Sequence, residues 1–247
     1  MLIIGINPVL ETLDFDPARI EKILLLEQIK NSRIEKIVEI ATRKKIIVER
    51  KSREYFDSII DKKDKSEGIS QGVIAEAKEY EYVELRKILA DTKENKVALI
   101  VILDEIQDPH NLGAILRTCA AAGVDGIVIS EKNSAKVNHT VLKASAGTIN
   151  YLKISLSGNI YKAIEMIKES EFFVFGTTLK SDNSLYKTKL EGRVAVVFGS
   201  ESKGIRTNIS KLCDELIKIP IYGKAESLNV SVSAGVILYE ILRQRSY

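Results

Sequence analysis

Tryptophan is absent from this 247-residue chain, aromatic residues make up 6% of it, and it has two cysteines. With so few rings, a platform of the RRM type, which stacks bases on exposed aromatics, is not expected. Cys119 and Cys213 stand far apart and form no CxxC pair, which argues against a disulfide framework or a zinc site. His110 and His139 are isolated in sequence, so no metal centre is expected either. Long hydrophobic runs are missing too. The longest wholly apolar stretch, Val97 to Leu103, falls far short of the ~20 residues that span a bilayer. No basic-apolar-small leader opens the sequence, so the cytoplasm is the expected location and no membrane is expected as partner. A strong charge of one sign is the last absence: the net charge is +3, too small to announce a nucleic-acid binder by itself.

What is present is 45% hydrophobic and 29% charged, the balance of an ordinary soluble chain. At roughly 100–200 residues per domain, one large or two modest domains fit. Residues 1–93 are electrically neutral, so the whole excess charge lies in residues 94–247. In the first stretch, Met1–Ile6 and Lys45–Val48 read as short strands. Asp16-Pro17 followed by Ile20, Ile23 and Leu24 reads as a capped helix start. Ile34–Ala41 and Arg53–Ile60 have helical spacing, the charged tract Asp61–Glu67 reads as a loop, and Gln71–Ala75 as a strand. These define a small α/β domain over residues 1–80.

Tyr82–Lys93 reads as a linking helix within a linker at residues 81–95. Residues 96–247 then alternate strands with helices. Strands are expected at Val97–Leu103, Gly126–Ser130, Phe172–Gly176, Val194–Phe198 and Leu216–Ile219. Helices are expected at Leu112–Ala122, Ile160–Ser170 and Ser231–Gln244. Such alternation implies an α/β fold with a mostly parallel sheet covered on both faces. Ligands of such sheets bind at the carboxyl ends of the strands.

Three segments follow buried strands and carry polar side chains. In the first, Asp104–Arg117, Asp108 or Asn111 can cap a new helix. Arg117, nearly two turns beyond Asn111, either snorkels on a solvated face or aims a guanidinium at phosphate or carboxylate. The second, Val196–Arg206, offers Gly199, where backbone can approach closely, and Glu201 on the rim of the turn. Its Gly-x4-Gly is half a P-loop, but Ile205-Arg206 replace the obligatory Lys-Ser/Thr, which excludes nucleotide hydrolysis of that type. In the third, Ile219–Ala234, one of Ser227 and Asn229 can cap the last helix. Four hydroxyl or amide side chains within Ser227–Ser233 are more than capping requires.

In this order, the three segments resemble the SpoU/TrmH family of ribose 2′-O-methyltransferases. Gly5–Glu11 and Ser70–Ala75 resemble that family's RNA-binding leader domain, of the ribosomal-protein L30e fold. Lys143–Thr148 and the two-domain layout look most like the branch that methylates a guanosine of large-subunit (23S) ribosomal RNA. The chain departs from the pattern at Ser202, where glycine is usual, and at Ser70 and Asn7, where histidine is usual.

The resemblance implies that residues 96–247 form a trefoil-knotted methyltransferase domain, a threading that ordinary topology rules make very rare. It implies S-adenosyl-L-methionine as cofactor, held by Thr177, Gly199, Ile219 and Leu228. Arg117 falls at the catalytic position, with Asn111, Glu201, Ser227 and Asn229 holding it, the cofactor loop and the ribose in geometry. Large-subunit rRNA is the implied partner and a homodimer the implied assembly. Because the methyl donor's positive sulfur already activates it, no metal is needed. A transfer RNA substrate, or a non-catalytic RNA-binding role in ribosome assembly, are the alternatives.

Overall fold

A computed structural model describes residues 1–29, 31–59, 71–146 and 148–246. The expected loop Asp61–Glu67, the motif residue Ser70 and Gly147 of the 143–148 motif lie outside the described residues. The chain divides into two compact units, Met1–Tyr80 and Glu81–Tyr247.

The first unit runs β1 (Leu2–Ile4), α1 (Ile6–Phe15), β2 (Ile20–Leu26), α2 (Ser32–Arg43), β3 (Ile47–Lys51), α3 (Arg53–Ile59) and β4 (Val73–Ala77). Its sheet has the order β1-β4-β2-β3, with β4 antiparallel to both neighbours and β2 parallel to β3. The helix expected to start at Asp16-Pro17 is a single 3-10 turn, Pro17–Arg19, that leads into β2. Alternation overrides the capping signal there. Ile23 and Leu25 enter one core with Ile3, Val9, Leu13 and Ile37, whereas Leu24 enters another with Phe56 and Ile74. A segment apolar on two opposite faces satisfies both only as a central strand. The strand expected over residues 1–6 stops at Ile4, and the chain turns into α1 through Gly5 at φ 101°.

The second unit runs α4 (Leu85–Asp91), β5 (Ala98–Asp104), α5 (Pro109–Ala121), β6 (Gly126–Ser130), α6 (His139–Ala144), β7 (Ile154–Ser157), α7 (Ile160–Glu169), β8 (Phe173–Thr177), β9 (Arg193–Gly199), α8 (Thr207–Ser210), β10 (Glu215–Ile217) and α9 (Val230–Ser246). The segment expected as a linker belongs to this unit. Leu85 and Leu89 of α4 are buried with Ile164 and Ile167 of α7 and with Ile100 and Ile102 of β5. All strand pairs are parallel, in the order β10-β8-β9-β5-β6-β7. Every residue of β5 is buried, as its unbroken apolar run requires.

The chain moves outward from β5 through β6 to β7, then returns on the other side through β8, β9 and β10. The direction of winding therefore reverses between β5 and β9, whose last paired residues are Asp104 and Gly199. Beyond β8 the chain clasps β10: Lys218 N donates to Asn183 O (2.9 Å) and Leu185 N to Lys218 O (2.8 Å). Ser181 Oγ donates to Leu216 O at 2.5 Å. At the opposite edge, Val83 N donates to Ile154 O of β7 at 2.7 Å. Among the described residues, no helix is long and apolar enough to cross a membrane.

Candidate active site

The reversal between β5 and β9 opens a crevice at the carboxyl ends of two buried strands, where open α/β sheets take their ligands. The chain after β5 enters α5 through Asp108, whose Oδ1 accepts from His110 N (3.0 Å) and caps the helix. Pro109 occupies the first turn, where its missing N–H costs nothing. Asn111 is thereby fixed three residues beyond that cap, in the first turn of α5.

The chain after β9 folds back on itself. A Cβ added at Gly199 would lie 2.0 Å from the carbonyl carbon of Gly204 and 2.1 Å from the amide nitrogen of Ile205. The backbone that approaches Gly199 is thus the protein's own returning loop. Asp104, fully buried at the end of β5, ties this loop down. Its carboxylate accepts from Arg206 N (3.2 Å), Nε (3.0 Å) and Nη2 (2.5 Å), and Glu105 lies 3.3 Å from the Arg206 guanidinium. Those hydrogen bonds to Asp104 hold the Arg206 guanidinium above its ordinary range. The sequence reading missed the pair, because its partners are 102 positions apart.

With the loop pinned, Glu201 reaches across the crevice. Its Oε1 accepts from Asn111 Nδ2 and from Asn229 Nδ2 (2.9 Å), and Asn229 Nδ2 also lies 3.0 Å from Asn111 Oδ1. Asn229 is held from the other side. Its Oδ1 accepts from Ser231 N (2.8 Å), Ser231 Oγ (2.6 Å) and Val232 N (3.4 Å), so it caps α9 while its amide faces the carboxylate. One residue from each of the three polar segments thus meets at one point, with no cation in the cluster.

The other expected site residues are placed as follows. Arg117 is exposed on α5 and bonds to none of the described residues, so it does not join the cluster. Ser227 and Leu228 are exposed just before α9. Thr177 ends β8 and donates from Oγ1 to Val197 O at 3.0 Å. Ile219 follows β10 and is half-buried. From Ile219 to Leu228 no main-chain N–H donates to another described residue, leaving a polar edge beside the apolar Ile219 and Leu228. Such an edge suits an adenosine, whose ring needs backbone partners and an apolar wall. Among the described residues no group of His, Cys, Asp and Glu is arranged to hold a metal ion.

A parallel α/β unit with a polar cluster at its reversal point defines the class, and the sequence comparisons define the family. The model of the SpoU rRNA methylase family matches residues 98–239, and that of the RNA 2′-O ribose methyltransferase substrate-binding domain matches residues 2–83. The chain belongs to the SpoU family, whose α/β methyltransferase domain carries a trefoil knot. It is 33% identical over 249 residues to the Escherichia coli 23S rRNA (guanosine-2′-O-)-methyltransferase RlmB, covering 99% of each chain. It is 36% identical over 251 residues to RlmB of Xylella fastidiosa, covering 99% of this chain and 96% of the relative. In fold it matches the SpoU methyltransferase AviRb from Streptomyces viridochromogenes, solved with AdoMet, at a TM-score of 0.70 and 20% identity over 100% of this chain and 90% of that one. The A. aeolicus TrmH/SpoU tRNA modifying enzyme matches at a TM-score of 0.56 and 32% identity, over 66% of this chain and 84% of that one.

Proposed function

We propose that the protein transfers a methyl group from S-adenosyl-L-methionine to the ribose 2′-oxygen of a guanosine in 23S ribosomal RNA. The observation that carries this reading is the meeting of Asn111, Glu201 and Asn229 at the end of β5 and β9. Support for ribosomal RNA comes from the RlmB relatives, which are 23S rRNA enzymes and align along 99% of the chain. The first unit, residues 1–80, is on this reading the RNA-binding leader of a catalytic unit that includes residues 96–247. The enzyme acts in the cytoplasm.

The cofactor supplies a methyl group already activated on a positive sulfur. Main-chain groups around Gly199, Ile219 and Leu228 hold its adenosine, with Thr177 closing the end of β8. Glu201, kept in place by two amides, fixes the depth of the crevice and the position of the returning loop. A ribose hydroxyl is a poor nucleophile at neutral pH and must be aligned and relieved of its proton. Arg117 is the cation available on α5. A guanidinium keeps its proton in neutral water, so it does not serve as the base. It instead grips the target phosphate and stabilises the developing alkoxide while the hydroxyl proton passes to solvent water at this exposed position. Ser227, exposed beside Leu228, orients the ribose. A homodimer accounts for the exposed Val232 and Tyr239 on α9, the helix that packs on α5.

Mapping ribose methyls on 23S rRNA from cells lacking the protein tests the reaction. One guanosine should lose its 2′-O-methyl and regain it when the wild-type chain is restored; an unchanged 23S map overturns the substrate. Arg117→Lys should retain measurable methylation, since a cation remains. Complete inactivity of that variant, with cofactor and RNA binding intact, would count against a purely electrostatic role.

A further inference from the structure

Within the first unit, a cavity of about 490 Å³ opens between the β2–α2 turn, the start of α3 and the Gln71-Gly72 turn. That volume lies in the range that ligand clefts occupy, roughly 300–1,000 Å³. Its floor is apolar, formed by Ile6, Leu26 and Ile29. Its rim is basic: Arg33 and Arg53 line it, and no acidic residue does among the described residues. This asymmetry arises in a stretch of sequence whose charges cancel overall. Arg33 is exposed at the start of α2, and among the described residues Arg53 approaches only Asp57, at 3.9 Å, with both of those side chains more than half exposed. An exposed pair at that distance contributes little, so both guanidinium groups remain available.

The turn at the mouth is held in a costly shape. Gln71 has φ 46°, a left-handed backbone that a non-glycine residue adopts at a cost of order 1–3 kcal/mol. Gln71 Oε1 accepts from Ile6 N at 3.2 Å, which satisfies the first amide of α1 and leaves the carboxamide N–H groups of this lining residue without a partner among the described residues. Gly72 follows at φ 73°, where an added Cβ would lie 2.2 Å from Ile29 Cδ1. A side chain at 72 would displace the Ile29 end of the floor and strain the turn. Asn31, also on the lining, has its Oδ1 engaged by Arg33 N at 2.9 Å and its amide group left for a ligand.

We propose that this cavity is a nucleotide site for the RNA substrate: an unstacked base lies on the Ile6–Leu26–Ile29 floor, Gln71 and Asn31 donate to its edge, and Arg33 and Arg53 grip the flanking phosphates. The chemistry points to unpaired RNA. A base in a helix presents no free face to an apolar floor, whereas splayed loop nucleotides present a face and an edge together. Arginine suits both duties, since its planar fork binds phosphate and its face covers a base. The site assigns residues to the RNA binding on which the proposed function rests.

The test uses the full-length protein and an unmodified 23S rRNA transcript. Arg33→Gln/Arg53→Gln and, separately, Gln71→Gly are compared with wild type for RNA affinity across a salt series, KM for RNA, kcat, and the melting shift given by S-adenosyl-L-methionine. The double variant should raise Kd and KM at least tenfold and flatten the salt slope by about 1–2, as expected for two lost phosphate contacts to single-stranded RNA. kcat and the cofactor-induced melting shift should stay at wild-type values. Gln71→Gly relieves the left-handed strain and so offsets the lost bond to Ile6 N, so melting should hold while affinity falls severalfold. A double variant with wild-type affinity and salt slope overturns the site, whether or not 23S rRNA proves to be methylated. Gln71→Gly that lowers melting but leaves affinity unchanged makes Gln71 purely structural and overturns its assigned role. Wild-type protein that binds the RNA but does not methylate it sinks the reaction proposed above, while the binding comparison still judges the cavity.

Discussion

The polar residues at the end of β5 and β9 and those around the first unit's cavity are organised in opposite ways. Asn111, Glu201 and Asn229 hold one another, and the loop beneath them is pinned by Asp104 and Arg206. Arg33 and Arg53 are held by almost nothing. A bond-making step tolerates little misalignment, because roughly an ångström of displacement costs about 100-fold in rate. Gripping a flexible phosphate backbone tolerates mobile cations, since the attraction falls off gradually with distance. The contrast separates a site built for chemistry from one built for capture, and it can be broken experimentally at several points.

The largest effect should come from Gly199→Ala. The new methyl would stand 2.0 Å from Gly204 backbone, and backbone cannot rotate away as a side chain can. A loss of about 3 kcal/mol or more in stability is expected, together with the cofactor-induced melting shift. A variant that melts like wild type and binds cofactor would show that the loop is not pinned. Glu201→Ala should do the reverse: water can take up the freed amides at this exposed position, so stability should change by less than ~1 kcal/mol, while methyl transfer falls roughly 100-fold. Unchanged turnover would reduce the cluster to a surface contact. Salt sharpens the contrast further. Raising it from about 50 to 200 mM should weaken RNA binding severalfold or more while cofactor affinity barely moves; parallel loss of both would erase the distinction. The smallest effect concerns the thiols. Burial pushes the Cys213 thiol up to about 12 and raises Cys119 as well. At pH 8 a thiol of pKa about 12 is ~10⁻⁴ thiolate, so alkylation should be slow in the native protein and fast in denaturant. Rapid native labelling would contradict that burial.

How much of this was readable from sequence depended on range. β5, β6 and β9 are continuous apolar runs, and the β6 strand expected at 126–130 is the one found. Asp108 and Asn229 were each one of two candidate caps, and local hydrogen bonding decided between them. β2 was misread because Asp16-Pro17 signals a helix start within three residues, whereas the two-sided burial of Ile23, Leu24 and Leu25 is decided by the rest of the unit. β7 was missed because Ile154–Ser157 alternates apolar with serine over four residues, too few for a pattern. At the site, the resemblance collected Asn111, Glu201 and Asn229 although they are 90 and 118 positions apart. Arg117 was grouped with them, and helix geometry sets it apart, since six positions on carry it nearly two turns away. The pair of Asp104 and Arg206 had no local signal, because a buried carboxylate looks like any strand-terminal aspartate until its partner arrives.

The hydrogen bonds at the two margins of the parallel sheet have a consequence for self-association. A terminal strand ordinarily displays a row of unsatisfied amides that invites pairing with a second molecule. Here β10 is covered by Asn183 and Leu185, and β7 gives Ile154 O to Val83. Both margins are also short, at three and four residues. Strand-to-strand stacking of copies is thereby discouraged at either side. Any ordered assembly of this chain through that unit is steered to its helical faces, where side chains, and not main-chain amides, set the number of subunits and their symmetry.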